Sequence, residues 1–352
     1  MDSFIFKGLP TRVIFGRDKL AVLRHEVERL GLTRVAVLTT PQQRATGQEI
    51  AGQLGPVLCA GHLDTATMHT PLEVTEDALA WCREHRVDGL VPVGGGSTVG
   101  LSKALSLRTG LPQICAPTTY AGSEMTDILG QTIEGKKQTQ RGPEIQPQVA
   151  IYDPDLTDTM PIPLSITSGF NAIAHAIEAL YAVDANPIIE YIATEGIRKL
   201  VGAMPELEGP NSRAARDEAL QGAWFCGVSL GSCAMALHHK LAHVLGGSFN
   251  LPHAESHTAL LPFSIAYNEP ALNGQLDTAR HALRTDNLAQ AIFDLAKTLG
   301  APTSLAEVGM PADGIDAATE IAISQPYSNP RPLSREGIRA LLDDAYHGRR
   351  PS

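Results

Sequence analysis

The chain has 352 residues, 43% of them hydrophobic and 19% charged, with a formal net charge of −10. That length suits two domains better than one, and the apolar share excludes a disordered chain. The negative charge disfavours nonspecific nucleic-acid binding, and no run of about 18 apolar residues suggests a membrane span.

The opening MDSFIFKGLPTRVIF lacks a basic stretch followed by an apolar one, so a cytoplasmic protein is expected. Cys59, Cys82, Cys115, Cys226 and Cys233 are odd in number and contain no CxxC pair. Neither a disulfide framework nor a thiolate zinc site follows from them, and reduced thiols are expected.

In chain order, VAVL at 35–38 reads as a buried strand, LEVTEDALAWCREH at 72–85 as an amphipathic helix, and GLVPV at 89–93 and QICAPT at 113–118 as further strands. Strands separated by helices predict parallel βαβ units in an open, doubly wound sheet. From about Pro161 the β-rich runs nearly vanish. Helical patterns take over at 165–182, 188–204, 213–231, 287–300 and 334–348. The proline-containing DPDLTDTMPIP at 153–163 marks the junction. The expected fold is an α/β Rossmann-like dinucleotide-binding domain over 1–160 and an all-α substrate domain over 161–352.

At GGGSTVG, residues 94–100, a strand ends in three glycines and a helix is expected to begin near Ser97. Glycine lets a backbone approach a pyrophosphate, and free amides at a helix start favour its charge. A tight βα turn with nothing bound has the same look, and the common G-x-G-x-x-G spacing is absent. The next strand runs into PTTYAGSE at 117–124. Ligands of open α/β sheets sit outside the carboxyl ends of strands. Gly94, Gly95, Gly96, Ser97, Thr98, Thr118, Thr119 and Ser123 are therefore the candidate dinucleotide contacts, with Thr39 and Thr40 at the end of the first strand. TTPQQR at 39–44 carries no carboxylate for an adenine ribose diol. Room remains there for a 2′-phosphate near Arg44, so NADH and NADPH both stay open.

The helical half holds histidines in register. Asn171 and His175 are four apart, as are His239 and His243, so each pair shares a helix face. His253 follows a Gly-Gly loop and a proline, with His257 four residues on. A lone histidine on an apolar helix is usually packed core, but two i, i+4 histidine pairs in one helical domain point to a site.

GGGS, PTTYAGSE, SGFNAIAHAIEALYA at 168–182 and HHKLAHVLGGSFNLPHAESH at 238–257, in this order, resemble the iron-containing alcohol dehydrogenase superfamily. The resemblance implies the dehydroquinate synthase-like architecture, a nicotinamide cofactor and a homodimer. In metal-dependent members an Asp, a His four residues on and two His fourteen apart hold a divalent ion. Those positions fall on Asn171, His175, His239 and His253, with His243 the nearby non-ligand histidine. Asn171 removes the anionic ligand, and neutral donors hold a divalent ion less strongly. Lys240 stands where those relatives have a small residue.

NAIAH, HHKLAH and LPHAESH together resemble the maleylacetate reductase branch, whose members work without added metal. The expectation is NADH- or NADPH-dependent reduction of the carbon–carbon double bond of a small dianion, maleylacetate, to 3-oxoadipate in aromatic-compound degradation such as that of resorcinol, with no metal. His243 or His253 would donate the proton. His175, His239 and Asn171 would polarise the ketone or hold a carboxylate, and Lys240 would meet the dianion ahead of Lys136, Lys137 and Arg141. The stretch GKKQTQR at 135–141 otherwise reads as a solvated loop. Three alternatives stand beside this reading. One is a metal-dependent alcohol or polyol dehydrogenase with Asn171 coordinating through its amide oxygen. Another is a dehydroquinate synthase-like lyase, and the third a non-catalytic nucleotide-binding protein.

Overall fold

The computed structural model describes residues 4–134, 136–325 and 327–352. Gly8–Met160 forms one compact unit and Pro161–Ser352 the body of a second.

The first unit is built on six parallel strands. β1 (Arg12–Phe15), β2 (Val35–Leu38), β3 (Cys59–Leu63), β4 (Gly89–Gly94) and β5 (Ile114–Pro117) come first. An antiparallel hairpin, β6 (Ile128–Ile133) with β7 (Lys136–Arg141), interrupts them before β8 (Val149–Tyr152) completes the sheet. The order across it is β1-β8-β5-β4-β2-β3, with every pair parallel. Helices α1 (Leu23–Arg29), α2 (Arg44–Leu58), α3 (Leu72–Glu84) and α4 (Gly96–Thr109) are the connections, α2 being broken at Gly55-Pro56.

Burial on both faces explains why β2 reads as a continuous apolar run. Its residues alternate between two cores. Val35 and Val37 pack with Val27, Ile50 and Leu54 on one side, while Ala36 and Leu38 pack with Leu79, Leu101 and Leu105 on the other. The segment 135–141, expected as a solvated loop, supplies β7 instead, because every residue of Lys136–Arg141 pairs with β6. Arg141 there reaches Asp127 at 3.5 Å, and the side chains of Lys136 and Lys137 lie outside the described residues.

The second unit is helical: α5 (Ile162–Leu180), α6 (Pro187–Ala203), α7 (Ser212–Ser232), α8 (Leu237–Phe249), α9 (His253–Asn268), α10 (Asp277–Leu283), α11 (Leu288–Thr298), α12 (Gly314–Ile323) and α13 (Arg335–His347). α5 is its axis. Every residue from Ser165 to Leu180 is buried, which is the pattern of a helix enclosed on all sides. The Gly-Gly pair expected as a loop lies inside α8; the chain turns at Asn250, whose φ of 53° is left-handed, and Pro252 then precedes α9. Among the described residues no single helix is long and apolar enough to cross a membrane. All five cysteines are buried and unpaired, and burial pushes their thiols up, Cys82 to about 11.

α6 and α7 meet through glycine. A methyl group on Gly222 would stand 3.0 Å from the Gly196 carbonyl, and one on Gly196 would stand 2.8 Å from Cys226 Sγ. Close approach of the two backbones therefore depends on missing side chains. Gly222→Val is expected to cost about 1–3 kcal/mol by overpacking, read as a lower urea midpoint. An unchanged midpoint would mean the helices separate without cost.

Candidate active site

At the sheet's carboxyl edge the strand order reverses between β2 and β4, the place where open α/β sheets bind ligands. β4 ends at Gly94 and α4 starts at Gly96, one residue before the expected Ser97. A side chain on Gly94 would collide with Thr98 Oγ1 and approach Gln43 Oε1 at 2.8 Å; one on Gly95 would meet Thr119 Oγ1 at 2.7 Å. Thr98 Oγ1 is buried without a partner. The Thr98 and Val99 amides donate to Gly95 O at 3.0 and 3.1 Å, so Gly96 and Ser97 are the amides of α4 without a partner inside the helix, and a helix start favours an anion there. This cradle suits a nucleotide pyrophosphate.

The other candidates of this unit divide. Gln43 Nε2 donates to Thr118 Oγ1 at 2.7 Å, tying the β2 and β5 loops together. Thr39 is spent internally, its hydroxyl 2.7 Å from His62 Nε2, and Thr40 leads into the turn at Pro41. Ser123 opens a short turn whose carbonyl accepts from the buried Lys103 Nζ at 2.5 Å. Lys103 also donates to Thr126 Oγ1 and Ile128 O, at 2.7 and 2.9 Å, and burial pulls its ammonium down to about 7. Arg44 does not stand free for a 2′-phosphate but pairs with Asp64, whose carboxyl it holds below the usual range.

In the helical unit, α5, α8 and α9 bring the histidines together. Ring centroids lie 5.0 Å apart for His175 and His239, 5.1 Å for His239 and His257, 4.4 Å for His253 and His257, and 6.4 Å for His239 and His243. Asn171 and His175 are buried, while His243 and His253 are half-buried. Lys240, on α8 beside His239, sends its ammonium over the Tyr327 ring, 5.7 Å from the centroid.

The residue that organises this cluster escaped the sequence reading. Glu178 is fully buried and accepts from His239 Nδ1 at 2.6 Å and from the backbone amides of Ala236 and His238 at 2.9 and 2.7 Å. Burial pushes its carboxyl up, but the His239 hydrogen bond, the nearby histidines and the backbone amide outweigh it and hold Glu178 low. Its signal was present: Glu178 is seven after Asn171 and three after His175, hence on the same helix face. Thr118's partner Gln43 had no comparable signal, since their meeting depends on which strands are neighbours.

Asn171 Oδ1, His175 Nδ1, His239 Nε2 and His257 Nε2 are buried without partners. The amide oxygen is an acceptor, and a ring nitrogen is one where the proton sits on the other nitrogen of its ring, as at His239, whose Nδ1–H faces Glu178. Yet among the described residues no three His, Cys, Asp or Glu side chains come together to hold an ion. The carboxylate nearest to hand, Glu178, is spent on His239 and backbone amides.

Comparison with known proteins follows this geometry. Residues 10–154 match the family described as iron-containing alcohol dehydrogenase, and residues 165–346 match the C-terminal part of the Fe-containing alcohol dehydrogenase family. The chain belongs to the iron-containing alcohol dehydrogenase family. It is 49% identical over 352 residues to a maleylacetate reductase of Rhizobium sp. (strain MTP-10005), covering all of both chains. A maleylacetate reductase of Burkholderia cepacia is 48% identical, again over all of both. Among solved structures, the maleylacetate reductase of Agrobacterium tumefaciens superposes with a TM-score of 0.95 at 48% identity over both full chains. An iron-containing alcohol dehydrogenase of Corynebacterium glutamicum gives 0.94 at 38%, covering 100% of this chain and 99% of that one.

The buried histidines make the fold acid-sensitive. Burial, with help from neighbouring imidazoles, lowers His238 to about 3 and puts His175 and His257 well below the ordinary value. Unfolding frees each to bind a proton below about pH 6.5. Their contribution to stability is thus complete above that pH and lost as pH falls below it, at about 1.4 kcal/mol per unit per histidine. Urea titrations between about pH 6 and pH 5 are expected to show this slope, and His238→Phe to remove one histidine's share. An identical slope in the variant would place His238 outside the effect.

Proposed function

We infer that the chain is an NAD(P)H-dependent oxidoreductase that reduces the carbon–carbon double bond of maleylacetate, yielding 3-oxoadipate. One observation carries this: identities of 44–49% to several maleylacetate reductases, over essentially the whole of both chains. An aromatic-compound degradation role such as resorcinol breakdown follows from the substrate. Cytoplasmic residence and a homodimer are part of the same proposal, as is NADH or NADPH as the form used.

When bound, the reduced nicotinamide supplies the hydride that adds to the enone carbon remote from the ketone. Gly94, Gly95 and Gly96 leave room for the pyrophosphate, the Ser97 amide at the start of α4 is offered to its charge while the Thr98 amide donates to Gly95 O at 3.0 Å, and Thr119 and Ser123 lie on the neighbouring loop.

The negative charge then grows on the ketone oxygen and must be met by preorganised donors. Glu178 holds the proton of His239 on Nδ1, which turns Nε2 away from the carboxylate. A carboxylate behind an imidazole stabilises a proton arriving on the far nitrogen, so His239 suits the ketone oxygen, assisted by the amide of Asn171 and by His175. His243 or His253, both half-buried, is the proton donor to the remaining carbon, a task for which imidazole has a suitable pKa. Lys240 is assigned to a substrate carboxylate, leaving the Tyr327 face when the dianion binds.

We propose that this chemistry runs without a metal, in departure from the family's name. Support comes from the amide at position 171 and from the engagement of Glu178 by other donors. The direct test is oxidation of NADH and NADPH with maleylacetate, with and without a chelator. Turnover that survives chelation is expected. Loss of maleylacetate turnover on chelation overturns the metal-free reading, and metal-stimulated alcohol oxidation without maleylacetate turnover overturns the substrate too. Asn171→Asp is expected to tighten Zn²⁺ binding by at least about tenfold, measured by titration against a chelating dye. Unchanged affinity would remove Asn171 from the account.

A further inference from the structure

Two fully buried imidazoles, His238 and His257, have no role in the chemistry above. His238 Nδ1 lies 2.9 Å from Ser264 Oγ, and its Nε2 lies 2.8 Å from His257 Nδ1. Ser264 Oγ in turn lies 2.9 Å from the carbonyl of Leu261. This is one continuous hydrogen-bonded chain, and its direction decides what His257 shows at its far nitrogen.

A hydroxyl has one proton to give. Donated to Leu261 O, it leaves Ser264 Oγ to accept from His238 Nδ1–H. Neutral His238 then accepts at Nε2 from His257 Nδ1–H, and His257 Nε2 is a bare lone pair. The opposite direction would take the proton from Leu261 O and put an N–H on His257 Nε2, an atom buried without a partner. An orphaned buried N–H is the costlier and rarer defect, so the first direction holds.

We propose that Ser264 and His238 are positioning residues that lock His257 as its Nδ1–H tautomer, presenting its Nε2 lone pair to the histidine pocket as a hydrogen-bond acceptor. The chain ends on a backbone carbonyl, which cannot pass a proton on, so it orients rather than conducts. An acceptor at this point welcomes an O–H or N–H, such as that of a water or a proton-bearing imidazole. It repels a carboxylate oxygen. The two substrate carboxylates are therefore kept off this wall, and proton donation falls to imidazoles other than His257. The consequence for turnover rests on the reductase reading; the tautomer does not.

The experiment pairs nitrogen NMR of histidine-labelled full-length protein with steady-state kinetics on maleylacetate. His257, assigned by signal loss in His257→Gln, is expected to show a protonated Nδ1 and a lone-pair Nε2. Ser264→Ala is expected to mix the tautomers and to lower kcat about tenfold with KM changed less than about twofold. Ser264→Thr, which keeps the hydroxyl, should recover most of the loss. His238→Gln, whose side-chain oxygen accepts from His257 Nδ1–H, should retain more activity than His238→Leu. An Nε2–H on His257 in the unaltered protein overturns the proposal, as does a Ser264→Ala enzyme with normal kcat and an unchanged tautomer. An unaltered protein that ignores maleylacetate yet shows the expected tautomer supports the lock and sinks the substrate reading.

Discussion

A single buried carboxylate organises the helical unit. Glu178 sits on the axial helix with no access to water, where an unpaired charge would cost several kcal/mol. It is tolerated because α8 begins against it, delivering backbone amides of Ala236 and His238 together with the His239 ring. A helix start is a natural partner for an anion, since its first amides lack acceptors of their own and its dipole favours negative charge. The bond that satisfies the carboxylate therefore also sets the register of α8 against α5. Move α8 by one residue and the His239 ring leaves both Glu178 and His175.

That arrangement gives the two sides of the cluster different characters. His239 has a carboxylate behind it, which takes its Nδ1–H and leaves Nε2 facing away. His257 has another imidazole behind it, itself tied to a serine, and no charge to lean on. Burial, helped by neighbouring imidazoles, holds it and His175 well below the ordinary value. Similar rings are thereby given different surroundings by what stands behind each, a distinction that neither residue type nor spacing reveals.

The α/β unit works by omission. Its candidate nucleotide edge lies where side chains are missing, at Gly94 and Gly95, and where neighbouring loops are stitched by Gln43 and Thr118. Lys103 performs the parallel task beneath the following loop. Its buried ammonium gathers two carbonyls and a hydroxyl, holding the turn at Ser123 in one shape. Arg44 at the start of α2 and Asp64 after β3 put both a cation and an anion beyond the carboxyl ends of β2 and β3, which is why the strand end alone leaves the choice of cofactor open.

Much of this was legible before any coordinates. Val35–Leu38 announces a strand buried on both faces, the three glycines announce where it is safe for a backbone to approach a ligand, and the i, i+4 histidine pairs announce a common face. These are local properties, set by the period of a helix or strand and by the presence or absence of a Cβ. What the chain could not show on its own are meetings between distant residues: Glu178 with the start of α8, Gln43 with Thr118, Ser264 with His238, Arg44 with Asp64. Hydrogen-bond direction and proton placement depend on such meetings, because a proton's location is decided by the partner across the bond. The sequence by itself determined the fold class, the family and the inventory of chemical groups. Only the tertiary structure decided which nitrogen of each imidazole is engaged and which is left unpartnered.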